Sequence, residues 1–268
     1  MRIPVRKMDF KFEENFPRYW YNNNPWITHW VHCLSAVFPD GERFFIDTVR
    51  HYRDKVSDPE LKNEVKAFIG QEAHHGKEHE AFNEILERVH KIPATKIAES
   101  IKKSLDRHKK VLGPQGSLAI TLALEHFTAT FADWFLKHPE VARELGPHAK
   151  LFLWHAVEET EHKAVAFDVY KHIGGNEQLR KAIMAYMSFV FIGHQLAHTA
   201  NLVRKDGKLT DVKAFKEFLE FLFGEPGMLA ENYKPWKDYF NKKFHPWDHD
   251  NKYLIEEHVE KLKAYEVL

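Results

Sequence analysis

Apolar residues recur at intervals of three and four along most of the chain, the period of a helix that buries one face. No stretch alternates with the period of two that a half-buried strand requires. Asn24-Pro25 reads as a cap followed by a first-turn proline, opening a helix through Trp26, Trp30 and Leu34. Pro39-Asp40-Gly41 is expected to interrupt it, with a new helix from Glu42 to about Val56 carrying Phe45, Ile46, Val49 and Tyr52 inward. Ser57-Asp58-Pro59-Glu60 supplies a capping side chain, a first-turn proline and an acid that complements the helix dipole, and starts a helix to about Val89.

Pro93 marks the next break, and Ile97 to Val111 is a charged amphipathic helix ended by Gly113-Pro114-Gln115-Gly116. Ser117 to Lys137 is apolar nearly all round, as the central helix of a bundle must be. After His138-Pro139 a short helix leads to Gly146-Pro147, and a long one runs from His148 to about His172, stopped by Gly174-Gly175. Asn176 opens a very apolar helix to about Val203, and Asp211 to Leu222 is amphipathic. Beyond Gly224 the composition turns to Pro, Trp, Asn and His, read as irregular packing with a final helix near Tyr253 to Tyr265. The first two dozen residues are aromatic and Asn-rich without a period, and read as an arm lying on the bundle. The expectation is an all-α, single-domain chain over residues 1–268. Its parts are a bundle core at about 26–172, an apolar covering helix at about 176–203 and a C-terminal segment at 211–268.

Two of these helices carry the same polar device. Gly70 to Glu80 reads G-Q-E-A-H-H-G-K-E-H-E, and Val157 to Val165 reads V-E-E-T-E-H-K-A-V. Glu72 and His75 stand three apart, as do Glu159 and His162, so each pair presents a carboxylate and an imidazole on one helical face. Two Glu-x-x-His helices, each joined by a Glu from a further helix, hold a two-metal carboxylate site in a four-helix bundle. Glu42 in G-E-R-F-F lies 30 residues before Glu72, and Glu125 in L-E-H-F-T lies 34 before Glu159. At 1.5 Å per residue, each separation returns an antiparallel hairpin to about the same level. Glu42, Glu72, His75, Glu125, Glu159 and His162 are the expected metal ligands.

Each has a plainer reading. A lone Glu-x-x-His is common on solvated helices, and Glu42 after Asp40-Gly41 could be a first-turn acid. Glu125, amid Leu122, Ala123, Leu124, Phe127 and Ala129, is harder to dismiss, because a buried unpaired carboxylate is costly. His79, one turn beyond His75, is left open as an extra ligand. His155, His194 and His198 could reach the site but each has a structural alternative, and Asp133 is a candidate partner for a ligating imidazole. Glu158 shares a side with His162, so the choice of Glu159 rests on the repeat and predicts that Glu158→Ala spares metal content.

Composition narrows the chemistry. Lys+Arg and Asp+Glu both total 39, which removes the electrostatic argument for a nucleic-acid partner. The single cysteine, Cys33, excludes an intramolecular disulfide and a thiolate zinc site and fits a reducing compartment. The N-terminal M-R-I-P-V-R-K-M-D-F has no signal-peptide core, and the run Ile183 to Gly193 ends at His194, short of the roughly 20 residues of a span. A cytoplasmic protein without membrane association is expected, and a homodimer is left open. Zincin, nucleophile-elbow and phosphate-loop motifs are absent from the sequence.

Taken together, P-R-Y-W, F-P-D-G-E-R-F-F, Q-E-A-H-H-G-K-E-H-E, L-E-H-F-T-A, V-E-E-T-E-H-K-A-V-A-F-D-V-Y and F-H-P-W-D-H-D span nearly the whole chain. With them the chain resembles the bacterial family catalogued as predicted metal-dependent hydrolases, within the ferritin-like di-iron carboxylate superfamily. The resemblance implies a ferritin-like four-helix bundle, extended here by C-terminal helices. Four carboxylates and two imidazoles suit two divalent transition metals, iron first, manganese second and zinc least. The leading expectation is a di-iron oxidase or oxygenase using dioxygen and an electron donor on a small apolar organic substrate. The alternatives are hydrolysis by a two-metal-activated water and a non-catalytic metal protein.

Overall fold

The computed structural model describes residues 3–263. Helix α1 (Pro25–Tyr52) is capped by Asn24, whose side chain accepts from the Trp26 and Ile27 amides at 2.9 and 3.0 Å. Asp58 caps α2 (Pro59–His90) in the same way, as its sequence signature requires. Then follow α3 (Ala94–Lys137), α4 (Pro139–Glu144), α5 (Ala149–His162), α6 (Val165–His172), α7 (Glu177–Lys205), α8 (Val212–Phe223), α9 (Met228–Asp238) and α10 (Lys252–Leu262). The fold is all-α: α1 packs on α2 and α3, α3 on α5, and α2 on α5 and α6, which closes a bundle. Helix α7 lies across α1 and α3, and α10 against α5. No helix among the described residues is long and apolar enough to cross a membrane.

Four expectations are corrected. Pro39 does not interrupt α1, which runs on through it. Proline has no amide to give the carbonyl four residues back; the Asn83 side chain of α2 donates to that Ser35 carbonyl instead, at 2.9 Å. The expected helix from His148 to about His172 is two, parted at Lys163 and Ala164. There the Lys163 ammonium leaves the bundle to donate to the His249 carbonyl and Asn251 Oδ1, both at 2.7 Å. Helix α9 was hidden by Pro235 and by its polar, aromatic composition. The final helix ends at Leu262, and Tyr265 lies outside the described residues. By contrast the break at Gly113 occurs where its motif places it, at a φ of 66° that favours glycine, followed by Pro114.

The arm is irregular but built into the core: Met8, Phe10, Phe16, Trp20 and Tyr21 are all buried. Phe10 packs edge-on against Trp154 of α5, and Trp154 in turn against the ring of His75. The arm thus forms the wall behind one end of the polar cluster inside the bundle.

Candidate metal centre

Glu42 from α1, Glu72 and His75 from α2, Glu125 from α3, and Glu159 and His162 from α5 meet inside the bundle, each 2% exposed or less. Their donor atoms form overlapping groups within 4.8 Å: Glu72, His75 and Glu159; Glu72, Glu125 and His162; and Glu42, His75 and His155. One atom, Glu159 Oε1, lies 3.6 Å from His162 Nε2 and 3.8 Å from His75 Nδ1. Glu72 Oε1 is 3.0 Å from His162 Nε2, although the ring N–H is not aligned on it. Close approach of α1 to α2 is allowed by Gly76, where a Cβ would stand 3.2 Å from Glu42 Oε2.

Both carboxylate oxygens of Glu42, Glu72 and Glu125, with His75 Nδ1 and His162 Nε2, are buried without a hydrogen-bond partner. Buried polar groups are otherwise nearly always paired, and leaving a carboxylate unpaired costs several kcal/mol or its charge. The chain's own electrostatics show the same conflict. Burial and then the neighbouring carboxylates, Glu72 first, hold Glu42 well above the usual carboxylate range. Burial and then Glu72 and Glu159 do the same to Glu125, and burial raises Glu72. Burial also acts to raise Glu159, but His162 and His155 outweigh it and hold Glu159 well below. His162 is held well above its usual value, Glu159 and Glu72 outweighing its burial. Divalent cations would remove the repulsion and give every orphaned atom a partner, so the residues fit the metal group that their spacing predicts.

A family model described as predicted metal-dependent hydrolase matches residues 4–250. The chain belongs to this family. The matched segment contains the whole inward-facing set. No curated protein and no solved structure matches the chain.

In this family member the imidazoles are aimed by an outer layer of side chains. His75 Nε2 donates to Glu158 Oε2 at 3.1 Å, which turns Nδ1 towards the carboxylates. His162 Nδ1 donates to Gln71 Oε1 at 2.8 Å, which turns Nε2 there. Gln71 is oriented by donating to the Pro4 carbonyl and to Glu161 Oε2, each at 2.8 Å. Arg6 of the arm donates to Glu158 at 3.1 Å and to Glu161 at 2.9 and 2.7 Å, bracing both halves of the layer. Arg6 had no periodic or motif signal in the sequence. Thr128, also missed, sits three residues after Glu125 and donates to Glu159 Oε2.

Glu159 faces the cluster while Glu158 faces His75 and Arg6, so the effect expected of Glu158→Ala on metal content is revised. Because Glu158 holds His75, its removal is expected to weaken metal binding about 10- to 100-fold. Competition with a chromophoric chelator measures this, and wild-type affinity in Glu158→Ala would show that His75 needs no such support.

The remaining candidates separate cleanly. His79 is not turned to the carboxylates: Nδ1 meets Ser35 Oγ at 2.9 Å and Nε2 meets His155 Nδ1 at 2.8 Å. His155 does reach the centre, with Nε2 2.9 Å from Glu159 Oε1. His194 and His198 bond Ser100 instead, and Asp133 accepts from Lys137 and Asn251. Cys33 is fully buried, and burial pushes its thiol up to about 12, which removes it as a nucleophile.

Proposed function

We propose that the chain is a two-metal hydrolase acting on a small organic substrate with a substantial apolar part. Glu42, Glu72, His75, Glu125, Glu159 and His162 would hold two divalent cations, their four carboxylates balancing the charge. The observation that supports this is the set of buried carboxylate oxygens and imidazole nitrogens without partners, and the family description supports hydrolysis over other metal chemistry. The ions would supply a water of lowered pKa and polarise the bond under attack. The hard oxygen-rich donor set suits iron or manganese, and zinc less well.

The chain itself supplies a place for the substrate. A cavity of about 100 Å³ lies beside Glu159, His155 and Thr128, walled by Trp30, Phe38, Phe131, Phe152 and Phe191. A wall of aromatic rings excludes water from one side of the carboxylates and binds hydrocarbon by burial, at about 25 cal/mol per Å². Thr128, at the cavity edge, fixes the carboxylate of Glu159 through one oxygen and leaves the other to the cluster.

The same aromatic wall favours a second reading, dioxygen chemistry with an external electron donor, because such a wall shields reactive intermediates. One experiment decides between them. Metal-free protein is reloaded with zinc, manganese or iron and assayed against short apolar esters and amides under argon, then with an oxygen electrode. Metal-dependent cleavage under argon is the expected result. Oxygen uptake by the iron form without cleavage would transfer the assignment to the oxidative reading. Less than about half an equivalent of any transition metal after reloading would sink both.

A further inference from the structure

We propose that the two metal positions are chemically unlike, because His155 joins Glu42 and His75 as a second imidazole on one of them. This rests on the two-metal reading above. It starts from Pro39, which has no amide to offer the Ser35 carbonyl. Asn83 Nδ2 fills that place at 2.9 Å. The amide cannot be turned over, since that would set two carbonyl oxygens face to face.

From that fixed amide the direction of every following hydrogen bond is determined. Asn83 Oδ1 faces Ser35 Oγ at 2.8 Å, and the hydroxyl proton is the only hydrogen that can lie between them. Ser35 Oγ is therefore an acceptor towards His79, 2.9 Å away, and His79 carries its proton on Nδ1. His79 is fully buried between Phe38 and Phe152 with no carboxylate on either nitrogen, so a second proton there would be an unpaired buried charge. Its Nε2 is thus a lone pair, which accepts from His155 Nδ1 at 2.8 Å.

With Nδ1 committed to His79, Nε2 is the nitrogen of His155 that is left for the centre. That nitrogen faces Glu159 Oε1, 2.9 Å away, with Glu42 Oε1 at 3.8 Å. In the metal-free chain a proton can fill that gap; a divalent cation that displaces it would take Nε2 as a ligand. The ring of His155 lies stacked on His75, centroids 4.2 Å apart, and the donor atoms of Glu42, His75 and His155 fall within 4.8 Å. The ion that His75 and Glu42 hold therefore gains His155, whereas the ion among Glu72, Glu125 and His162 keeps a single imidazole. A nitrogen-richer position prefers later transition metals and fills first with them; the oxygen-richer one suits manganese or iron.

Titration of metal-free protein with Co²⁺, followed by visible d–d absorption, tests the assignment. Wild type is expected to take up two equivalents in two steps of unequal affinity. His155→Phe keeps the ring packing, and is expected to weaken one step about 100-fold while sparing the other. Ser35→Ala leaves His155 in place but lets His79 carry its proton on Nε2, which moves the proton of His155 onto its metal-facing nitrogen. It is expected to weaken the same step about 10-fold, an effect that a purely structural His155 would not produce. If His155→Phe does not fold, Ser35→Ala decides. Variants that bind Co²⁺ as wild type does, in a protein that binds two equivalents, would overturn this assignment alone. Wild type that binds none would overturn the two-metal reading and the assignment with it.

Discussion

Glu159→Ala is expected to empty both metal positions, whereas Glu125→Gln is expected to lose about one equivalent of two. The difference follows from where the oxygens lie. Glu159 Oε1 stands between His75 Nδ1 and His162 Nε2, within reach of both halves of the centre. Glu125 groups only with Glu72 and His162. A purely structural role predicts a different pattern. Glu125→Gln removes a carboxyl that burial holds well above its usual range, and keeps its shape, so the metal-free variant should melt no lower than metal-free wild type. Elemental analysis and melting curves in chelator report both quantities. Full metal content in Glu159→Ala would refute the proposed ligand set.

The stabilisation given by metal is expected to grow as pH rises from about 5.5 to 8. Glu42, Glu72 and Glu125 are all raised above the ordinary 4.5 in the folded metal-free chain, by burial foremost. Below 4.5 both the folded and the unfolded chain are protonated at these groups. Above it the unfolded chain ionises first, so these carboxyls cost the metal-free fold stability as pH rises towards the raised values, opposite to buried histidines such as His75 that burial holds well below their ordinary 6.5. His162, raised above its ordinary 6.5, acts in the same direction as the carboxyls. Glu159, lowered, contributes stability that is lost only at acid pH, outside this window. Metal binding replaces the protons that these groups retain in the metal-free fold, so it tightens as pH rises. At a free metal concentration of about 100 times Kd the gain is about 2.7 kcal/mol, or about 5–10 °C in Tm for a chain of this size. Melting curves with metal and with chelator across that range should diverge, and a gap that does not change with pH would contradict proton-for-metal exchange at these carboxylates.

Most helices were legible because their ends are local chemistry. Asn24-Pro25, Asp58-Pro59 and Asn176 cap their helices from within two or three residues, and Gly113 breaks α3 where a positive φ is needed. Two of the failures involve partners far away in the chain. Pro39 reads as a helix end, and it fails to be one because Asn83, 48 positions beyond Ser35, supplies the missing donor. At the break after His162, Lys163 reaches His249 and Asn251, 86 and 88 positions away. Neither partner leaves a mark on the local pattern.

The centre divides in the same way. By itself the sequence determined the spacing: two Glu-x-x-His pairs and the two preceding glutamates must share faces, because the helix period is a property of the backbone alone. What only the tertiary structure decided is which atoms face the cluster and which groups hold them there. It set Glu158 behind His75, sent His194, His198 and Asp133 elsewhere, brought His155 in, and placed Arg6 of the arm against Glu158 and Glu161. Side-chain direction and hydrogen-bond polarity are determined by partners from other helices, so they exist only once the bundle has closed.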